Sequence, residues 1–157
     1  MTAFTRMALA LFLSLALGAG QALAIGGGGS KSAKKDDPAY ARAVKRVDAG
    51  DYAGAIPLLQ KAIAADPTNA NAHNYLGFSH RKLGNVDVAL AQYGKALELN
   101  PKHLAANEYL GELYLDLDQL DKAKERLAVL DDACFFGCEE YRELKEKIAA
   151  YQAKANS

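Results

Sequence analysis

Residues 70–103 read ANAHNYLGFSHRKLGNVDVALAQYGKALELNPKH. Two helical stretches, Ala70 to Leu83 and Asp87 to Leu99, flank Gly84-Asn85, a dipeptide suited to a tight reversal. Asn100-Pro101 closes the unit, because the residue before a proline is pushed out of the helical region. Within it, Gly77 and Ala89 are small enough to let neighbouring backbones approach, while larger residues between them fill the remaining gaps. The segment is a helical hairpin whose apolar face needs a neighbour.

The neighbours are visible in the same sequence. Ala89, Tyr93, Ala96 and Pro101 have counterparts about 34 residues earlier, Ala55, Leu59, Ala62 and Pro67, and again later, Ala123, Leu127, Leu130 and Phe135. Three units follow: 36–69, 70–103 and 104–137. In the first, an acidic N-cap at Asp36 or Asp37 precedes Pro38, a residue type favoured at the first helical position. Ala39 to Ala49 carries the i, i+3, i+4, i+7 stripe Tyr40, Ala43, Val44, Val47 of an amphipathic helix. Gly50-Asp51 breaks it, and Ala53 to Ala65 follows, with Pro57 expected in or just after its first turn. In the third unit, helices are expected at Leu104 to Leu117 and Asp121 to Asp132. Asp118 stands there where the earlier units have glycine, and Asp tolerates a left-handed turn at more cost than Gly. A seventh helix, Glu139 to Lys154, presents Tyr141, Leu144, Ile148 and Tyr151 on one narrow stripe, with Glu139 and Glu140 at its positive end. One covered face and one wet face suit a helix that caps the last repeat. Residues 138–157 therefore form a capping helix and tail.

Residues 1–24 are read separately, as a signal peptide. Arg6 supplies the positive region, Met7 to Ala19 the uncharged Ala/Leu run, and Ala22-Leu23-Ala24 the small-x-small site for cleavage after Ala24. The run is shorter than the roughly 20 apolar residues that span a bilayer, so no stable membrane insertion is expected. Residues 25–35, IGGGGSKSAKK, form a flexible Gly/Ser/Lys leader too polar to fold alone. Basic and acidic residues number 19 each. Loss of Arg6 with the leader leaves 18 against 19, a formal charge of −1. That balance provides no long-range field for nucleic acid, which is not expected as a partner.

At these residues the chain resembles the tetratricopeptide repeat family, in an exported bacterial form with a C-terminal capping helix. The resemblance covers roughly Asp36 to Lys154. The family pattern W-x2-L-G-x2-Y, A-x3-F, P appears as His73, Leu76, Gly77 and His80, then Ala89 and Tyr93, then Pro101. The third unit gives Asn107, Leu110, Gly111 and Tyr114, then Ala123 and Leu127, with Phe135 in the proline's place. The first departs most, with Arg42-Ala43 where Leu-Gly is usual. The resemblance implies an all-α fold, an α-solenoid of three helix pairs plus the cap, and a concave groove that binds a protein or peptide segment without catalysis. Carried over by position, the groove comprises Tyr40, Val44, Asn71, Asn74, Phe78, Arg81, Glu108, Glu112 and Leu115. Tyr40 and Val44 can equally be core, whereas Asn74 and Phe78 are expected to face the groove. Glu108 and Glu112 stand where a carboxylate clamp would place basic residues, so a partner with a basic end fits better than one with a terminal carboxylate.

Cys134 and Cys138 flank Phe135-Phe136-Gly137. Two lone cysteines in an exported chain favour a disulfide, and Gly137 can break the helix to let the thiols meet. The alternative is a thiol-dependent redox or metal-handling centre, although the spacing is one longer than Cys-x-x-Cys and no strand precedes a helix here. His73 and His80 lie seven apart, about 10 Å along a helix, too far to share a metal readily. They read as packing residues, and His103 as a loop residue without ligand neighbours. No phosphate loop, nucleophile elbow or metal-binding His-Glu helix occurs, so no catalytic residues, cofactor or metal are expected. A third possibility is a purely structural oligomerisation module. The sequence leaves the oligomeric state open.

Overall fold

A computed structural model describes residues 38–155. The expected signal peptide, leader and acidic N-cap at Asp36 or Asp37 lie outside those residues. Seven helices follow in order: α1 (Pro38–Asp48), α2 (Tyr52–Ala65), α3 (Ala70–Lys82), α4 (Val86–Leu99), α5 (Leu104–Asp116), α6 (Leu120–Ala133) and α7 (Glu139–Ala155). The fold is all-α, three pairs of helices plus a C-terminal helix. No helix among the described residues is long and apolar enough to cross a membrane.

The turns between partners show why the units start and stop where they do. Gly84 closes α3 at φ 79°, a left-handed conformation that glycine adopts without strain. Asp118 does the same work after α5 at φ 56°, the single non-glycine residue in that region among those described. The starts of α2 and α3 are capped by side chains: Asp51 accepts from Gly54 N at 2.8 Å and Asn69 from Ala72 N at 3.0 Å. His103, expected to be a bystander in its loop, instead caps α5, its Nδ1 accepting from Ala106 N at 3.2 Å. Because α2 begins at Tyr52, Pro57 is deeper than the first turn, where it has no N–H to bond the carbonyl of Ala53.

Packing follows the small residues. Ala55, Ala89, Ala96 and Ala123 are fully buried, and Tyr93 is buried completely among them. A methyl group added at Gly77 would lie 2.9 Å from the Tyr93 ring, and one at Gly111 only 2.5 Å from Leu144 of α7. Glycine at those positions therefore sets how closely the helices approach. Leu144 and Ile148 are buried against Leu115, Ala123 and Leu130, with Tyr141 and Tyr151 packed alongside. So α7 covers the last pair by the stripe read from its sequence.

The odd-numbered helices touch in series, α1 with α3, α3 with α5 and α5 with α7, whereas α2, α4 and α6 do not touch one another. Each even helix meets the next odd one instead. This closeness on one side and splay on the other makes the row α1, α3, α5, α7 the inner, concave layer. Every candidate residue on a helix of that row can contribute to one continuous face.

Candidate functional site

Aromatic rings run along the inner layer. Tyr40 of α1 meets Tyr75 of α3 edge-on at 6.0 Å, and Phe78 meets Tyr109 of α5 at 4.8 Å. Tyr52 packs edge-on against Phe78 at 5.9 Å from the other side, and Lys82 Nζ lies 5.1 Å from the centre of the Phe78 ring. All four inner rings are half-buried. They offer apolar area together with hydroxyl groups, the combination that protein-binding surfaces favour. Tyr75 and Tyr109 were not among the residues expected here. Their signal was present, since they occupy the same place in consecutive repeats, each directly after an expected groove residue.

The sequence-derived groove residues separate into three groups. Tyr40, Val44, Phe78 and the exposed Asn71 lie at or near the surface, Val44 half-buried, and Asn71 Oδ1 meets His103 Nε2 at 2.8 Å. Asn74 corrects the expectation: it is only 2% exposed. Neighbouring inner helices touch directly, so a side chain between them is covered and cannot reach a peptide backbone. Leu115 is likewise core, buried with Leu130 and Leu144 where α7 closes over α5 and α6.

The remaining residues form a charge network rather than a free acidic patch. Arg81 of α3 donates to Glu112 of α5 at 2.5 Å and to Asp116 at 2.6 Å. Lys147 of α7 donates to the other oxygen of Glu112. Burial pushes the Glu112 carboxyl up, but the hydrogen bonds from Lys147 and Arg81 outweigh it and hold the group below its ordinary range. Glu112 thus already has two cationic partners within the chain, which corrects its expected role as an open site for a basic partner.

Glu108 behaves oppositely. It is 5% exposed, and burial, a hydrogen bond with Glu143 and the charge of Glu112 push its carboxyl up to about 8, with Lys147 opposing. Carboxylate oxygens of Glu108, Glu112 and Glu143 all lie within 4.8 Å of one another. A proton kept on Glu108 at neutral pH relieves the crowding of the three carboxyl groups, while Arg81 and Lys147 balance Glu112. The group lines a cleft of about 450 Å³ that also contains Phe78, Tyr109, Lys82 and the Glu139 and Glu140 carboxylates. A second cleft, about 700 Å³, opens between Arg81, Asp116, Asp118, Tyr151 and Lys154.

The sulfurs of Cys134 and Cys138 are bonded, with Cα atoms 5.5 Å apart. His73 is buried and its Nδ1 pairs with Gln92 Oε1 at 2.8 Å, whereas His80 pairs with Asn85 at 3.2 Å. The two imidazoles serve separate packing contacts.

Stacked helical hairpins with an aromatic inner face define the class: an α-solenoid with a continuous inner layer. Models described as tetratricopeptide or TPR repeats match residues 45–84, 70–103 and 93–125, together more than half the sequence. The chain is a tetratricopeptide-repeat protein. It is 32% identical over 94 residues to the mouse PEX5-related protein, covering 59% of this chain and 17% of that one. Among solved structures it resembles the Yersinia enterocolitica type III secretion translocator chaperone SycD. The TM-score is 0.68 at 18% identity, over 76% of this chain and 84% of that one. The first repeat domain of Spaghetti (RPAP3), bound to the HSP90 peptide SRMEEVD, gives a TM-score of 0.64 at 24% identity, over 73% and 90%.

Proposed function

We propose that this chain is an exported, periplasmic or secreted adaptor that holds a segment of a protein partner along the inner face of α1, α3, α5 and α7 and performs no catalysis itself. The row Tyr40, Tyr75, Phe78 and Tyr109 carries this reading, because partly buried aromatic rings in a continuous concave layer supply binding area with little side-chain entropy to lose. The peptide held by the Spaghetti repeat domain supports the same use of the fold. Export rests on the sequence of residues 1–24 and agrees with the Cys134–Cys138 bond, since disulfides persist in oxidising compartments.

Electrostatics selects among partners. The cleft beside Phe78 and Tyr109 contains Glu108, Glu112, Glu139, Glu140 and Glu143 against Lys82 and Lys147. Even with Glu108 protonated, acidic groups outnumber basic ones, so a basic residue of the partner fits there and a terminal carboxylate does not. The open carboxylates for it are Glu139 and Glu140, in place of the already paired Glu112.

Affinity capture from the exported fraction tests this reading. Wild type should retain a partner that Phe78→Ala with Tyr109→Ala loses by at least about tenfold. Equal capture by that folded variant would overturn the groove assignment.

A further inference from the structure

The loop between α6 and α7 exposes Phe135 and Phe136 at 91% and 97%. Their rings contact each other edge-on, 5.2 Å between centres. The Cys134–Cys138 bond and Gly137, at φ 77°, hold this pair on a short closed loop. Two adjacent phenyl rings in water are unfavourable, and fixing the loop makes their exposure permanent rather than a passing conformation.

A receptor for such a knob lies beside it. Because α4 and α6 do not touch, a cleft of about 490 Å³ remains between them, lined by Leu97, Pro101, Ala128 and Val129 with Lys102 and Arg126 at the sides. Asp132, at the α6 end of that cleft, is paired with Lys102 at 2.6 Å. Asp131, exposed just before the phenyl pair, makes no ion pair among the described residues. The knob is therefore apolar with an acidic flank at Asp131, and the cleft is apolar with a net positive lining, since Lys102 is balanced by Asp132 and Arg126 is left over.

We propose that a second copy of this chain covers both features: Phe135 and Phe136 of each copy enter the α4–α6 cleft of the other. A two-fold interface requires that knob and cleft lie on the same patch, so that each copy gives and receives at once. Their common position at the C-terminal end of α6 meets this condition. The flanks agree in charge, with Asp131 of one copy meeting Arg126 of the other. The cleft belongs to the outer, even-numbered layer, so pairing leaves both inner faces open.

Sedimentation velocity of the full chain, from low to high micromolar concentration, tests this arrangement. Wild type should form a dimer. Phe135→Asp with Phe136→Asp should weaken it by at least about tenfold, as should Val129→Glu in the cleft. Circular dichroism melts would establish that both variants remain folded. Mixing them discriminates the exchange from any other contact: the Val129→Glu copy keeps its knob and the Phe-substituted copy keeps its cleft, leaving one intact contact. A heterodimer should form in the mixture where neither variant dimerises alone. A monomeric wild type, an undiminished variant dimer, or a mixture that stays monomeric would each overturn the proposal.

Discussion

The Tyr151 hydroxyl donates a 2.9 Å hydrogen bond to Oδ1 of Asp118, the residue that turns the chain through positive φ after α5. A residue placed in a conformation that glycine holds more cheaply is thereby used to tether the terminal helix. Replacing it with glycine relieves the turn and loses the tether, and replacing it with alanine loses the tether and keeps the strain.

Asp118→Gly should accordingly change stability by less than about 1 kcal/mol, whereas Asp118→Ala should cost about 1–2 kcal/mol. Tyr151→Phe, which removes an exposed bond, should cost less than Asp118→Ala. Urea unfolding of the singles and the double variant gives the coupling. A zero coupling between Asp118 and Tyr151 would show that the bond contributes nothing in solution.

Two glycines should respond in opposite directions to the same substitution. Gly111→Ala forces a methyl group against buried Leu144 and should destabilise by about 1–3 kcal/mol. Gly94, inside α4 with nothing within 4 Å of an added methyl, should gain up to about 1 kcal/mol as alanine. Thermal melts with matched buffers check both signs.

Stability should fall as pH rises towards about 8, the value to which the Glu108 carboxyl is pushed, from the ordinary 4.5. The folded chain holds the Glu108 proton that the unfolded chain releases above 4.5, so folding is favoured below that window and loses this contribution through it. Glu108→Gln removes the titration and should flatten the profile there. An unchanged slope in urea midpoints measured across this range would contradict the assignment.

Reduction of Cys134–Cys138, or replacement of both by Ser, should lower stability by at most about 2 kcal/mol, as expected for so short a loop. Partner capture through the inner face should persist. If capture or any activity vanished with the thiols while the fold survived, the redox reading would take precedence.

Helices and turns were legible because they depend on local chemistry: Pro67 and Pro101 as stops, Gly84 at its turn, and Gly77 and Ala89 at close approaches. The site was legible only in outline. Whether Glu112 is free depends on Arg81, 31 residues before it, and Lys147, 35 residues after it. Those separations are close to one repeat, so opposite charges at that interval were the available signal. Asn74 and Glu108 were harder, because burial in the inner layer depends on how near adjacent helices stand, which spacing along one helix does not convey. The exposure of Phe135 was concealed by its place in the repeat pattern, where proline usually closes the unit.

Positive Arg81, negative Glu112 and positive Lys147 join three successive inner helices, and the Arg81 and Glu112 side chains are only 14% and 13% exposed. Ions in solution screen surface pairs strongly and sheltered ones weakly. The curvature of the inner face is thus insulated from ionic strength at its centre, and changes in external salt would alter the encounter with a charged partner more than the shape presented to it.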